Sequence, residues 1–308
     1  MSQANQEPGT SAQGYLDDPR NEQVVVYVNG EFVPRHAASV SVFDAGFVLG
    51  DGVWEGLRLV QGKLLHLDEH LDRLFEGAGA IRIDIGRTRD ELKAALQETL
   101  ARNGMTDGAH VRLMVTRGRK KTPNQDPRFV IKGPTIVIVA EFKAPNPATK
   151  ARGLALWTST FRCSAPDVFD LRLNSHSRLN FIQALLQAID AGADEALMLD
   201  PHGFVASCNS TNFFIVRNGE LWTSTGRYNF NGITRRHVLA LARASGLSTR
   251  ELDFTLAETY SASEAFVTGT LGGVTPVTRI DGRTIGDGRP GLVTVRIADW
   301  YLTATGAQ

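Results

Sequence analysis

VFDAGFVLGDGVWEGLRLVQGKLLHLDEHLDRL, residues 42–74, is where the chain changes from one periodicity to another. Its first part reads as strand punctuated by glycines, with Gln61-Gly62 as a turn. From Asp68 onward, Leu71, Leu74, Phe75 and Ala78 recur at helical spacing. A strand that hands over to an amphipathic helix predicts a sheet covered by helix, which is the signature of a mixed α/β unit.

The flanks extend that reading. VVVYVNGEFV (24–33) predicts a hairpin over Asn29-Gly30. Thr88-Arg-Asp-Glu91 is a capping box opening a second helix that stops at Asn103-Gly104. HVRLMVTRG (110–118) and TIVIVAEF (135–142) read as strands. APNPATK (144–150), with two prolines and no periodicity, reads as a linker. Beyond it, LALWTSTFRC (154–163) is a strand, and Leu179, Ile182, Leu185, Leu186 and Ile189 fall on one face of a helix stopped by Gly192. EALMLD (195–200), NFFIVRNGELWTS (212–224) and EAFVTGT (264–270) are strands, and TPVTRIDGRTI (275–285) is a hairpin. Helices are expected over about 234–245 and 292–302. The expected organisation is a polar tail over 1–22, a small N-terminal α/β domain over 23–143, the 144–150 linker, and a larger C-terminal α/β domain over 151–308.

Composition removes several classes. Lys+Arg and Asp+Glu both total 33 in 308 residues, so there is no basic excess to release counterions from nucleic acid. No apolar run approaches the length of a spanning helix. The opening MSQANQEPGTSAQGYLDDPR lacks a basic segment followed by an apolar one, so no signal peptide is expected. Two cysteines, Cys163 and Cys208, make no disulfide framework, and a cytoplasmic location is expected. No metal site is read. Lysines number seven, at 63, 93, 120, 121, 132, 143 and 150, and none follows Lys150.

NGITRR (231–236) places glycine and a hydroxyl residue at a helix start, where free backbone N–H groups and the helix dipole favour an anion. TGTLGG (268–273), after a strand, offers hydroxyl and glycine N–H donors. Taken singly, each is equally a helix cap or a tight turn, and Arg73 is equally a solvated helix residue.

In their order and spacing, the 42–74 segment, HVRLMVTRG, ADEALMLDPHGFV, NGITR and VTGTLGGVTPV resemble the class IV aminotransferases. That superfamily includes branched-chain and D-amino-acid aminotransferases and aminodeoxychorismate lyase. The resemblance covers about residues 24–300. It implies a two-domain D-amino-acid-aminotransferase-like fold, a homodimer, pyridoxal 5'-phosphate held between the domains, and amino-group transfer between a small amino acid and a 2-oxo acid. It assigns the cofactor phosphate to Arg73, Ile233, Thr234 and Thr270.

At the reactive end the resemblance predicts a Schiff-base lysine within LRLNSHSRLNFIQALL (171–186). The matching positions are His176, Ser177 and Arg178. The glutamate expected against the pyridine nitrogen is Ser207, and a tyrosine of the branched-chain members is Phe181. Arginine cannot replace the lysine, because its guanidinium stays protonated and holds no free amine. The cofactor is therefore expected to bind at most without a covalent link. Three readings remain open: a noncovalent aminotransferase-like enzyme; a lysine-free enzyme using His176, Ser177 or Cys208 in the same pocket; and a noncatalytic binder of phosphate ligands. Ser177 is equally a helix cap, His176 a packed loop histidine and Cys208 a buried small apolar residue. Arg112, Arg117, Arg119 and Lys120 lie where the family often recruits a group for the substrate carboxylate, and Phe47, Trp54 and Phe214 are core or pocket wall.

Overall fold

The computed structural model describes residues 11–307. They form two compact units. One holds Asp17–Ala144 together with Leu173–Arg178; the other takes the stretch up to Leu16, Pro145–Arg172 and the chain from Leu179 onward.

The N-terminal unit contains β1 (Val25–Val28), β2 (Glu31–Pro34), α1 (Ala45–Leu49), β3 (Gly52–Val60), β4 (Lys63–Leu64), α2 (Leu67–Ala80), α3 (Arg89–Arg102), β5 (Ala109–Thr116), β6 (Arg119–Lys120), β7 (Val130–Lys132) and β8 (Thr135–Phe142). Six strands make one antiparallel sheet in the order β2-β1-β8-β5-β3-β4, and β6 pairs with β7 apart from it. On β5 burial alternates strictly. Ala109, Val111, Leu113 and Val115 join Leu71 and Leu74 of α2 and Leu92 and Leu96 of α3 in the core, so His110, Arg112, Met114 and Thr116 share the opposite face. The capping box of α3 forms as read: Thr88 N donates to Glu91 Oε2 at 2.7 Å and Glu91 N to Thr88 Oγ1 at 3.2 Å. Asn29 and Gly30, at φ 52° and 102°, turn the first hairpin.

The C-terminal unit contains α4 (Pro147–Arg152), β9 (Leu154–Thr158), α5 (Pro166–Phe169), α6 (Leu179–Asp190), β10 (Glu195–Leu199), β11 (Val205–Cys208), β12 (Asn212–Arg217), β13 (Glu220–Thr223), α7 (Ile233–Ala244), β14 (Thr249–Glu251), α8 (Leu256–Tyr260), β15 (Glu264–Gly269), β16 (Gly273–Ile280), β17 (Arg283–Thr284) and α9 (Leu292–Thr305). Its mixed sheet runs β11-β10-β9-β16-β15-β12-β13-β14, with β17 on β16. β9 pairs in parallel with β10 and β16, as β13 does with β14. α7 and α9 pack on one cluster, where Val238, Leu239 and Ile297 meet Phe214 and Phe266; the two rings stack with centroids 4.8 Å apart.

Three features differ from the sequence expectation. The polar tail lies outside the described residues only over 1–10; Ala12 is buried, its N–H donating to Glu195 Oε1 at 2.9 Å, and Asn21 exchanges two hydrogen bonds with the backbone of Phe142. The expected linker carries α4, opened by Asn146, whose Oδ1 accepts from Ala148 N at 3.0 Å with Pro147 at its first position. On α6 the small side chains Ala184 and Ala188 face inward with Phe181, whereas Leu179 and Ile182 are 68% and 52% exposed and Leu186 and Ile189 also face out. Helical periodicity marks an apolar stripe without saying which surface covers it.

Candidate functional site

In the N-terminal unit, Glu55 and Trp54 are neighbours on β3 and therefore serve opposite faces. Glu55 is wholly buried. Arg73 on α2 grips it through Nε and Nη2 at 2.7 and 2.6 Å, and His70 Nδ1 lies 2.6 Å from its Oε2. Burial opposes the charge of Glu55, but the hydrogen bonds of Arg73 and His70 outweigh it and hold the carboxyl below the usual glutamate range. Arg73, expected on a cofactor phosphate, thus has two of its nitrogens on a carboxylate of its own unit. Sequence reading missed Glu55, although it sits in the quoted VWEGLRL.

The free edge of β3 receives residues 173–178. Trp54 N donates to Asn174 O at 2.9 Å, Trp54 Nε1 to Ser175 O at 3.1 Å and His176 N to Gly52 O at 3.0 Å. The segment therefore lies along the strand like an added edge, with Val53 bridging Ser175. Gly52 is required by that approach: a Cβ there would meet Val115 O at 2.5 Å and the His176 ring at 2.7 Å. Ser177 is exposed, and its hydroxyl donates to Gly50 O at 3.3 Å. His176 is pushed down to about 4 by burial and by Arg112, so its ring is neutral near pH 7, and its buried Nε2 has no hydrogen-bond partner among the described residues. Arg178 donates to Asn174 Oδ1 and stands with its guanidinium 5.5 Å from the Trp54 ring centroid.

Arg112 also packs on Trp54, at 3.3 Å from the ring centroid. The other three cations named with it have different partners. Arg117 pairs with Asp51 at 2.6 Å and donates to Ile81 O and Arg82 O. Lys120 is buried with Nζ donating to Asp126 O at 3.0 Å. Arg119 is exposed. Phe47, expected as pocket wall or core, is 71% exposed.

In the C-terminal unit, Ile233 opens α7 and Thr234 is buried beside it. The cap residue is Gly232, which brings no side-chain bond to the first helical N–H groups. Asn212 of β12 holds the approach to this helix: Nδ2 donates to Phe230 O at 2.6 Å and Oδ1 accepts from Gly232 N at 3.2 Å. A side chain at 232 would collide with that amide oxygen. Thr268 of β15 is the cross-strand partner of Asn212 and shares its face. Its Oγ1 is buried with no hydrogen-bond partner among the described residues. Thr270 follows in the turn after β15, partly buried. An uncapped helix start beside an orphaned buried hydroxyl suits an anionic group such as a phosphate. Sequence reading chose Thr270 from TGTLGG and passed over Thr268.

Ser207, on β11, is buried and donates to Thr211 O at 2.8 Å. A hydroxyl bonded to a backbone carbonyl supplies no anion for a pyridinium. Cys208 is buried, and burial pushes its thiol well above the ordinary range, which leaves it protonated and unreactive. Within the C-terminal unit, the start of α7 and Thr268 Oγ1 therefore fit a phosphate such as that of pyridoxal phosphate, whereas residue 207 brings no carboxylate; in the N-terminal unit, residues 176–178 bring no primary amine.

Comparison with known proteins gives the family. The profile of the amino-transferase class IV family matches residues 52–280. The chain is 40% identical over 290 residues to branched-chain-amino-acid aminotransferase-like protein 2 of Arabidopsis thaliana; the match covers 94% of this chain and 52% of the plant protein, so the chain spans about half the length of that relative. It is 40% identical over 278 residues to a putative branched-chain-amino-acid aminotransferase of Methanocaldococcus jannaschii, covering 90% of this chain and 94% of that one. The T.th. branched-chain amino acid aminotransferase, solved with pyridoxamine 5'-phosphate, superposes with a TM-score of 0.85 at 30% identity, covering 93% and 95% of the two chains. The same enzyme is also solved with N-(5'-phosphopyridoxyl)-L-glutamate. The mixed α/β fold is that of the branched-chain aminotransferases, and the chain belongs to the class IV aminotransferase family.

Proposed function

We propose that this protein is an aminotransferase-like member of its family that binds pyridoxal or pyridoxamine phosphate without a covalent link and handles small amino acids or 2-oxo acids. The observation that carries the reading is the contrast between the two ends of the cofactor's requirements. The start of α7 and Thr268 Oγ1 offer donors to a phosphate, while no lysine follows Lys150 and residues 176–178 are His, Ser and Arg. When bound, the cofactor supplies an electron-withdrawing ring and an exchangeable amino group. Ile233 and Thr234 would hold its phosphate with Thr268 and Thr270, and His176, at one of the sequence positions matching the family's amine and neutral near pH 7, is able to accept a proton. A lysine-free nucleophile draws no support from the side chains, since Cys208 is held as the thiol and Ser177 is bonded to a carbonyl.

The test is an absorbance spectrum with added pyridoxal phosphate, then borohydride reduction and peptide mass mapping. The expected result is the spectrum of free aldehyde, saturable binding, and no adduct anywhere in 151–308. A reduced adduct on any lysine overturns the noncovalent reading. The resemblance also implies a homodimer, and the outward apolar row Leu179, Ile182, Leu186 and Ile189 of α6 gives a second copy a surface to cover. Ile182→Glu with Leu186→Glu should shift the mass measured by light scattering to that of one chain.

A further inference from the structure

Glu195 on β10 takes no part in the site described above, yet its carboxyl ties residues near the start of the described chain to the C-terminal unit. Its Oε1 accepts from Ala12 N at 2.9 Å and its Oε2 from Thr211 Oγ1 at 2.7 Å, and the side chain is wholly buried. Residues 11–14 make a tight turn, with Gly14 N donating to Ser11 O at 2.8 Å. Asn146 N donates to Gly14 O at 3.3 Å, where Tyr15 bridges Pro145. Ala12 joins the core cluster that Leu156, Leu197 and Phe213 share. The segment also presses on the turn after β15: a Cβ at Gly272 would meet Ala12 O at 2.8 Å, and one at Gly269 would meet Gln13 Nε2 and Thr211 Cγ2 at 3.3 Å. Successive strand residues point to opposite faces, so Thr211 and Gly269 meet this segment from one side of the sheet while Asn212 and Thr268 serve the other.

The groups around Glu195 make that tie depend on its charge. Both of its donors are neutral. Asp194, the preceding residue, adds a like charge although Arg152 pairs with it at 3.0 Å, and Cys208 on β11, which feels the charge of Glu195, stays a thiol. Lys150 of α4 borders residues 11–14, but burial dominates and pushes Glu195 up to about 7. An ionised carboxylate sealed here keeps two hydrogen bonds and loses its water, and lifting residues 11–14 returns that water. The neutral acid gains far less from lifting. The tie is strongest while the carboxyl holds its proton.

We propose that residues 11–15 are an acid-closed strap latched by Glu195: it closes behind the turn 269–273 while Glu195 is protonated and lifts as Glu195 ionises. Because Ala12 and Gln13 back that turn, lifting loosens the loop that carries Thr270. The strap uses only groups of the C-terminal unit and no cofactor, so it stands or falls separately from the reading above.

Hydrogen–deuterium exchange of the full chain from about pH 4.5 to 8.5, corrected for the intrinsic rate at each pH, tests this. Protection over residues 12–16 and 270–273 should be highest in acid, fall by up to about tenfold per pH unit toward 7 and level off above it, because the proton lost on lifting is the one on Glu195. Amides of α7 and α9 should keep their protection throughout. In Glu195→Gln, whose neutral amide can donate to the Thr211 hydroxyl, protection should stay near its acid value at every pH. Protection of the strap that does not change with pH, the same fall in Glu195→Gln, or an equal fall across the whole unit overturns the proposal. A fall over 12–16 with the turn unchanged overturns the strap's hold on 269–273. If Glu195→Gln loses its near-ultraviolet circular dichroism, Ala12→Pro decides. Proline suits the second position of the 11–14 turn and removes the N–H that Glu195 accepts. Ala12→Pro should lower strap protection in acid by about tenfold and flatten its pH dependence; protection equal to the parent's counts against the latch.

Discussion

Glu55 in the N-terminal unit and Glu195 in the C-terminal unit are both completely buried glutamates on sheet strands, yet their acidities move in opposite directions. Glu55 faces Arg73 and His70, and its carboxyl is held below the usual range. Glu195 meets only neutral donors, Thr211 Oγ1 at 2.7 Å and Ala12 N at 2.9 Å, and burial pushes it up to about 7. Burial alone therefore does not set the charge state of an acid; the formal charge of its partners does. The same rule read from the cation side separates Arg73, bonded to Glu55, from Arg112, which has no ion-pair partner among the described residues.

Removing the matching charge should give the largest effect. Arg73→Met leaves Glu55 buried with only His70, and breaking a buried pair from one side costs about 3–5 kcal/mol. In the parent, the depressed acidity of Glu55 contributes stability above the usual glutamate range, lost as pH falls through its folded value. In Arg73→Met that depression is lost, so the acid limb of a denaturation-midpoint-against-pH curve should flatten. An unchanged limb would mean that Glu55 draws its stabilisation elsewhere.

Glu195 should behave in the reverse sense. Its folded pKa of about 7 exceeds that of an unfolded glutamate, so its stabilising protonation is complete below about pH 4 and lost as pH rises toward 7. Chemical denaturation from pH 4.5 to 7 should show stability falling by roughly 1–3 kcal/mol from this group. Glu195→Gln should flatten that stretch, and a slope identical to the parent's would contradict it.

A smaller change tests the neutral donors. Thr211→Val takes one hydrogen bond from Glu195 and leaves its oxygen buried, which should cost about 1–2 kcal/mol and steepen the same pH dependence. Gly52→Ala probes the other unit. Its Cβ would press on Val115 O and the His176 ring, so the segment 173–178 should lift from β3, with trypsin cleavage after Arg178 faster than in the parent.

Much was legible from local sequence because local structure is decided by near neighbours. Thr88 and Glu91 cap α3 across three residues, Asn29-Gly30 turns because those residues tolerate positive φ, and the alternation on β5 follows from the strand's two-residue repeat. The family motifs belong to the same class, being short and contiguous. What tertiary structure alone decided is which groups meet. Arg73 finds Glu55 only because α2 folds onto β3; Arg178 finds Trp54 only because residues 173–178 leave the chain's second half to lie along that strand; Ala12 finds Glu195 only because the N-terminal stretch returns to the C-terminal unit. Charge pairing and desolvation depend on distance in space and on what excludes water, and neither quantity is written in the spacing of residues along the chain.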